Sequence, residues 1–230
     1  MKIKNVLTLT ALSGITAAPG VLLVDFSNGA GAPAGWEVVG GTGSPSGIFS
    51  GYDDLAGVGN DITVSLANIS FDRLYKNGFT GTADDFPGSD LDEMYSDLLF
   101  RNNDSATVDV SIVGLQAGIY QITTHHLNAP NTPTQFDLLV TDANNAGADI
   151  GDYAMGLGNT SSFNPTVITF NVESNGTDDI VLQMDATALG TGGNTGGWYG
   201  FNGMEIDVIP EPSSLAFLGL AGFLFGRRRR

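Results

Sequence analysis

Residues 106–127 read ATVDVSIVGLQAGIYQITTHHL. Thr107 to Val113 reads as one strand, Gln116 to Gly118 as a turn, and Ile119 to Leu127 as a second strand. Within "GLQAGIYQI", Leu115 plugs a sandwich edge, Gly118 takes the turn and Tyr120 starts the next strand. This block sets the class of the whole body as all-β.

The neighbouring segments repeat the signal. "VLLVDF" (residues 21–26) is apolar and β-rich, and "WEVVG" (36–40) reads as a short strand. Residues 40–51 are rich in Gly, Ser and Pro and read as irregular. "DITVSLAN" alternates Ile62, Val64 and Leu66 with polar neighbours, as a half-buried strand does. "QFDLLVTDA" is a further strand. "TVITFNVESNGTDDIVLQMDA" reads as a hairpin turning at Asn175 and Gly176. "GWYGFNGMEIDVI" closes the body as a final strand, with Phe201, Met204 and Ile206 facing the core. One segment breaks the pattern. "SDLDEMYSDLLF" spaces Leu91, Met94, Tyr95, Leu98 and Leu99 by three and four, which predicts one or two helical turns capped by Ser89 or Asp90, then a strand near Leu98 to Arg101.

The expectation is eight to ten short strands in a single antiparallel jelly-roll β-sandwich with one short helix, spanning residues 21–207. No internal repeat divides it.

Composition agrees. Apolar residues make up 42% of the chain, enough to bury a core, and the 32 glycines suit a loop-rich all-β domain. Residues 21–207 hold three basic residues (Arg73, Lys76, Arg101) against 24 acidic ones, a formal charge of −21. No basic stripe exists to neutralise phosphates, so nucleic acid is excluded as a partner. The chain has no cysteine, which excludes disulfides, thiolate metal sites and cysteine nucleophiles.

The two ends read as addresses. MKIKNVLTLTALSGITAAPG (residues 1–20) orders two lysines, a moderately apolar stretch and small residues, as a secretory signal peptide does, with cleavage between Ala17 and Gly20. The competing reading is an amphipathic first element. At the other end, VIPEPSSLAFLGLAGFLFGRRRR (residues 208–230) joins Pro210, Glu211 and Pro212 to a short apolar run and a basic stop. Leu215, Phe217, Leu218, Leu220, Phe223, Leu224 and Phe225 supply the apolar part. It is shorter than the roughly 20 residues of a spanning helix. Arg227, Arg228, Arg229 and Arg230 would stay on the cytoplasmic side, leaving the body outside.

That tail resembles a PEP-CTERM sorting signal in all three parts, their order and their spacing. The resemblance implies a hydrophobic sorting helix processed by an exosortase near Pro210, Glu211 and Pro212. It also implies secretion machinery as a partner and transient inner-membrane anchoring. The setting it implies is the envelope or extracellular surface of a Gram-negative, exopolysaccharide-making, often biofilm-forming cell. An ordinary C-terminal anchor is the alternative. Residues 90–208, through "LLFRNND", "TVDVSIVGLQAGIYQITTHH", "FDLLVTD" and "GFNGMEI", resemble galactose-binding-like and malectin-like jelly-roll modules. Many such modules bind sugars or serve as non-catalytic appendages, so the likeness implies a glycan-binding or non-catalytic accessory module; with the setting that the tail implies, exopolysaccharide is the expected ligand.

Candidate sites are few. His125 and His126 are the only histidines, and neighbours on a strand point to opposite faces, so they cannot easily share a metal. One could rim a pocket while the other is structural. No G-x-S-x-G elbow is present. Trp36, Trp198 and Tyr199 are the sugar-stacking candidates, with core or edge packing as the alternative for Trp198. "DANNAGADIGD" offers Asp142, Asn144, Asn145, Asp149 and Asp152 as calcium ligands, and Asp84, Asp85, Asp90 and Asp92 form a second acidic cluster. Solvated acidic loops are the alternative. The jelly-roll resemblance implies a structural calcium. Three functional readings stand: an exported glycan-binding module, a purely structural surface or matrix protein, and a glycan-active enzyme.

Overall fold

The computed structural model describes residues 20–27, 32–57, 59–69, 71–74, 92–95, 97–102, 107–128, 135–159, 162–185 and 198–210. In chain order these form β1 (Leu22–Asp25), β2 (Glu37–Val38), β3 (Ser46–Phe49), α1 (Asp53–Ala56), β4 (Ile62–Ala67), β5 (Phe71–Leu74), α2 (Asp92–Tyr95), β6 (Asp97–Asn102), β7 (Val108–Val113), β8 (Ala117–Asn128), β9 (Gln135–Thr141), β10 (Ala148–Ala154), β11 (Gly156–Asn159), β12 (Ser162–Asn164), β13 (Thr166–Asn175), β14 (Ile180–Asp185), β15 (Trp198–Phe201) and β16 (Gly203–Val208).

The strands make an all-β jelly-roll sandwich. One sheet runs β12-β11-β8-β16-β1-β2, with β13 also paired to β8. The second runs β10-β9-β14-β7-β4-β3, and a small third runs β15-β6-β5. From β7 onward the chain passes back and forth: β7 lies in the second sheet, β8 in the first, β9 and β10 in the second, β11 to β13 in the first, β14 in the second and β16 in the first. Each crossing turns a corner of the sandwich.

Alternation fixes the register. In β7, Val108, Val110 and Ile112 are buried, and in β4 so are Ile62, Val64 and Leu66. From the other sheet come Tyr120 and Ile122 of β8, Met204 and Ile206 of β16, and Leu22 and Val24 of β1. A one-residue slip would turn each set to solvent, at about 1.5–3 kcal/mol per large side chain.

The first corner follows the reading of "GLQAGIYQI". Leu115 is buried, and Tyr120 folds back so that its hydroxyl lies 3.0 Å from the carbonyl oxygens of both Gln116 and Leu55. The Gln116 amide donates to that same Leu55 carbonyl at 3.0 Å. The corner is thereby stapled to α1. Gly114 makes the approach possible: its φ is +94°, and a Cβ there would collide with the backbone carbonyl of Asp61.

Several expectations change. The described residues contain 16 strands, more than the eight to ten expected, because short edge strands and strand breaks leave weak periodic signals. Residues 40–51 are not wholly irregular, since β3 pairs with β4 there. The segment 166–185 is not a hairpin. Asn175 does turn the chain, its Oδ1 accepting from the amides of Thr177 and Asp178, but β13 then pairs with β8 while β14 pairs with β7 and β9. The turn is a sandwich corner. The final segment is two strands, because Asn202 breaks it: β15 pairs with β6 and β16 with β1 and β8. The pairing is also not purely antiparallel, as β1–β2 and β11–β8 run parallel.

The expected helix and strand at 89–101 are present as α2 and β6, with Met94, Tyr95 and Leu99 buried. No helix among the described residues is long and apolar enough to cross a membrane. The signal-peptide reading of 1–19 and the sorting segment from Glu211 onward lie outside the described residues.

Gly114→Ala should lower the unfolding free energy by about 2–4 kcal/mol, from backbone strain plus displacement of Asp61. Urea melts of the two proteins read this directly, and an unchanged midpoint would contradict the corner geometry.

Candidate functional site

The two histidines sit on β8 and face opposite ways. His126 points into the core, where its ring lies 5.1 Å from that of Phe136 and 5.0 Å from that of Phe201. Its Nδ1 donates to the Gly200 carbonyl at 2.9 Å, and its Nε2 accepts from Thr124 Oγ1 at 2.9 Å. Burial pushes its pKa down to about 4, against the favourable Gly200 carbonyl and with help from the neighbouring His125. His126 is a neutral, structural core residue.

His125 lies on the opposite, outer face of the same sheet, yet it is buried. The cross-strand row explains why. His125 stands opposite Gly203 of β16, which stands opposite Asp25 of β1. Gly203 leaves the row open: a Cβ there would meet the Met94 sulfur, and Trp36 at 3.0 Å. Met94 and Trp36 therefore lie down over the strand. Trp36 meets the His125 ring edge-on at 6.0 Å, and Tyr95 does so at 5.6 Å.

The polar atoms of this cluster form a chain. The Tyr95 hydroxyl donates to His125 Nδ1 at 2.6 Å. His125 Nε2 in turn donates to Glu205 Oε1 at 2.9 Å. Burial drives the Tyr95 phenol well above the ordinary tyrosine range, and the Glu205 charge adds to the effect, so the phenol keeps its proton. The side chain of His125 is 4% exposed and that of Glu205 35% exposed. The chain of bonds thus runs from a buried hydroxyl to a carboxylate at the surface.

The expected site residues separate. Trp36 is half-buried beside His125. Tyr199 is a correction: it is 0% exposed, in a strand packed beneath β8, and offers no ring face to a sugar. Trp198 pairs through its backbone with Asn102, and its side chain lies outside the described residues.

The calcium candidates lie in different local settings. Asp142 Oδ1 accepts from the amides of Asn144 and Asn145 and from Asn145 Nδ2, while Oδ2 accepts from the Glu173 amide. Burial works to raise its pKa, but these donors outweigh it and hold the carboxyl below the ordinary range. The Asn144 amide group donates to Glu173 at 2.5 Å. This carboxylate pins a loop to β13. Asp149 and Asp152 stand instead on β10, where Asp149 opposes Leu139 and Asp152 opposes Asp137. Among the described residues, no three His, Cys, Asp or Glu converge as a group that could hold a metal ion. Asp84, Asp85 and Asp90 lie outside the described residues.

The second sheet carries a feature that sequence reading missed. Asp137 of β9 lies directly between Asp152 of β10 and Asp185 of β14. Like charges placed opposite one another oppose sheet formation. Burial, the bond and charge of Asp152, and the charges of Asp149 and Asp185 raise the Asp137 pKa to about 6. Glu205 and Tyr95 were likewise missed as site residues. The alternation of "GMEID" places Glu205 outward, but only strand pairing reveals its partner.

Residues 208–230 match the family described as the PEP-CTERM protein-sorting motif. The match implies exosortase-processed export, with transient membrane anchoring before processing. No curated protein matches the chain. Among solved structures, it is similar to the ANXUR1 extracellular domain from Arabidopsis thaliana, at 16% identity and TM-score 0.40, over 61% of this chain and 38% of that one. It is also similar to a family 35 carbohydrate binding module from Clostridium thermocellum, at 12% identity and TM-score 0.36, over 71% of this chain and 98% of that one. The CBM35 from Cellvibrio japonicus Abf62 is similar at 20% identity and TM-score 0.30, over 62% of this chain and 91% of that one.

Two pH responses follow. At pH 5.5 nitrogen–proton correlation spectra should show His126 as the neutral Nδ1–H tautomer, while an imidazolium would contradict its placement. The unfolded chain takes up that proton near pH 6.5 and the folded chain only near pH 4, so stability falls across this window by up to about 3 kcal/mol. Asp137 has the opposite sign. Its folded pKa is raised, so its penalty is full above pH 6 and fades as pH falls toward 4. Asp137→Asn should therefore stabilise the protein in urea melts at pH 8 and not at pH 4; an equal effect at both would exclude the carboxylate row as its cause.

Proposed function

We propose that this chain is an exported cell-surface or matrix protein, whose tail an exosortase removes and whose body is a non-catalytic β-sandwich that binds exopolysaccharide. The match of residues 208–230 to a sorting motif carries the first part. The body's charge of −21 supports a destination away from nucleic acid and anionic membrane surfaces.

Trp36 supports the glycan reading. It is an aromatic ring left half-buried beside His125, which holds an acceptor carboxylate on the same sheet face, a combination suited to stacking on a pyranose and bonding its hydroxyls. Both histidines support the non-catalytic reading. Each is buried, with both ring nitrogens hydrogen-bonded to other groups of the protein.

The sorting claim is tested in a Gram-negative host with and without its exosortase. Mass spectrometry of the surface protein should find the sequence after residue 212 missing in the first strain and retained in the second. An intact tail in both would contradict processing.

A further inference from the structure

The outer face of the large sheet carries a carboxylate that the fold holds in place from below. Glu205 has one oxygen, Oε1, bound to the buried His125. Among the described residues, Oε2 takes no hydrogen bond, and the side chain is 35% exposed. His125 is itself fixed at its other nitrogen by the buried Tyr95 hydroxyl at 2.6 Å. The rotamer freedom that a surface glutamate ordinarily keeps is thus already lost before any ligand arrives.

Trp36 completes the arrangement. It lies over Gly203, two residues before Glu205 on the same strand and therefore on the same face. The half-buried indole and the fixed acceptor both border His125, the indole edge-on at 6.0 Å and the carboxylate at 2.9 Å from Nε2. A side chain at residue 203 would push Met94 and Trp36 away from the strand.

Building on the glycan-binding reading above, we infer that Trp36 and Glu205 form the contact pair of a sugar-binding patch on the outer face of this sheet, selective for neutral, hydroxyl-bearing polysaccharide. His125 and Tyr95 are positioning residues for Glu205. The selectivity follows from chemistry. An ionised carboxylate only accepts, so its ligand must donate, as sugar hydroxyls do. A uronate or sulfate would bring a like charge to Glu205 and to a body of charge −21.

The test uses the full chain, with dextran, galactan and mannan as neutral probes and polygalacturonate as the anionic one, by affinity electrophoresis at low ionic strength. The wild-type protein should bind at least one neutral polymer and not polygalacturonate. Trp36→Ala and Glu205→Gln should each weaken that binding at least tenfold. Glu205→Gln keeps the shape and an acceptor toward His125, so unchanged urea midpoints separate lost contact from lost fold. Tyr95→Phe should weaken binding about two- to fivefold and loosen the His125 tautomer in nitrogen spectra, a change that a residue serving packing alone would not cause. Neutral-polymer binding untouched by Trp36→Ala and Glu205→Gln would overturn this site and leave the glycan reading standing. Preference for polygalacturonate would overturn the selectivity. No binding to any polymer would overturn the glycan reading itself, and this site with it.

Discussion

The structure depends on one strand that is bonded on both sides. β8 pairs with β13 from Ala117 to His126 and with β16 from Tyr120 to His125. Its alternation therefore sets two surfaces at once. Tyr120, Ile122, Thr124 and His126 face the core, and Gln121, Thr123 and His125 face out. Neither set can shift without breaking both ladders and exposing the apolar side chains of the first.

Polar groups on β8 are tolerated because each is answered. Thr124 and His126 bond to each other inside the core, and the Gly200 carbonyl takes the remaining imidazole proton. On the outer face, Tyr95 and Glu205 occupy both nitrogens of His125. An unanswered buried imidazole nitrogen would cost about 1–3 kcal/mol. The elements that supply these partners come from distant parts of the chain: α2 and β15–β16. The small third sheet thus has a purpose beyond covering the sandwich. It brings Gly200 to His126, and α2 beside it brings Tyr95 to His125.

Much of this was legible in sequence. The alternation of Val108 to Ile112 and of Ile62 to Leu66 gave their strands and inward faces. The spacing of Met94 and Tyr95 gave a helix turn, and adjacency of His125 and His126 gave their opposite directions. Other features depend on which strands meet. Asn175 and Gly176 announce a turn, but nothing local says whether the chain returns to the same sheet or crosses to the other. Trp198 and Tyr199 read as sugar-stacking candidates, yet Tyr199 is buried in β15, which pairs with β6. Asp142, Asp149 and Asp152 look like one ligand set because they are close in sequence. The loop spends Asp142 on its own amides, and β10 carries the other two to a different neighbourhood. Glu205 was invisible as a site residue because its partner is 80 residues away.

The hub role of β8 is most directly tested by amide hydrogen exchange across the body at neutral pH. The slowest amides should cluster from Tyr120 to His125, where ladders flank the strand on both sides, and those of the edge strands β2 and β10 should exchange much faster. Protection of β8 no greater than that of the edges would contradict a fold organised around this strand.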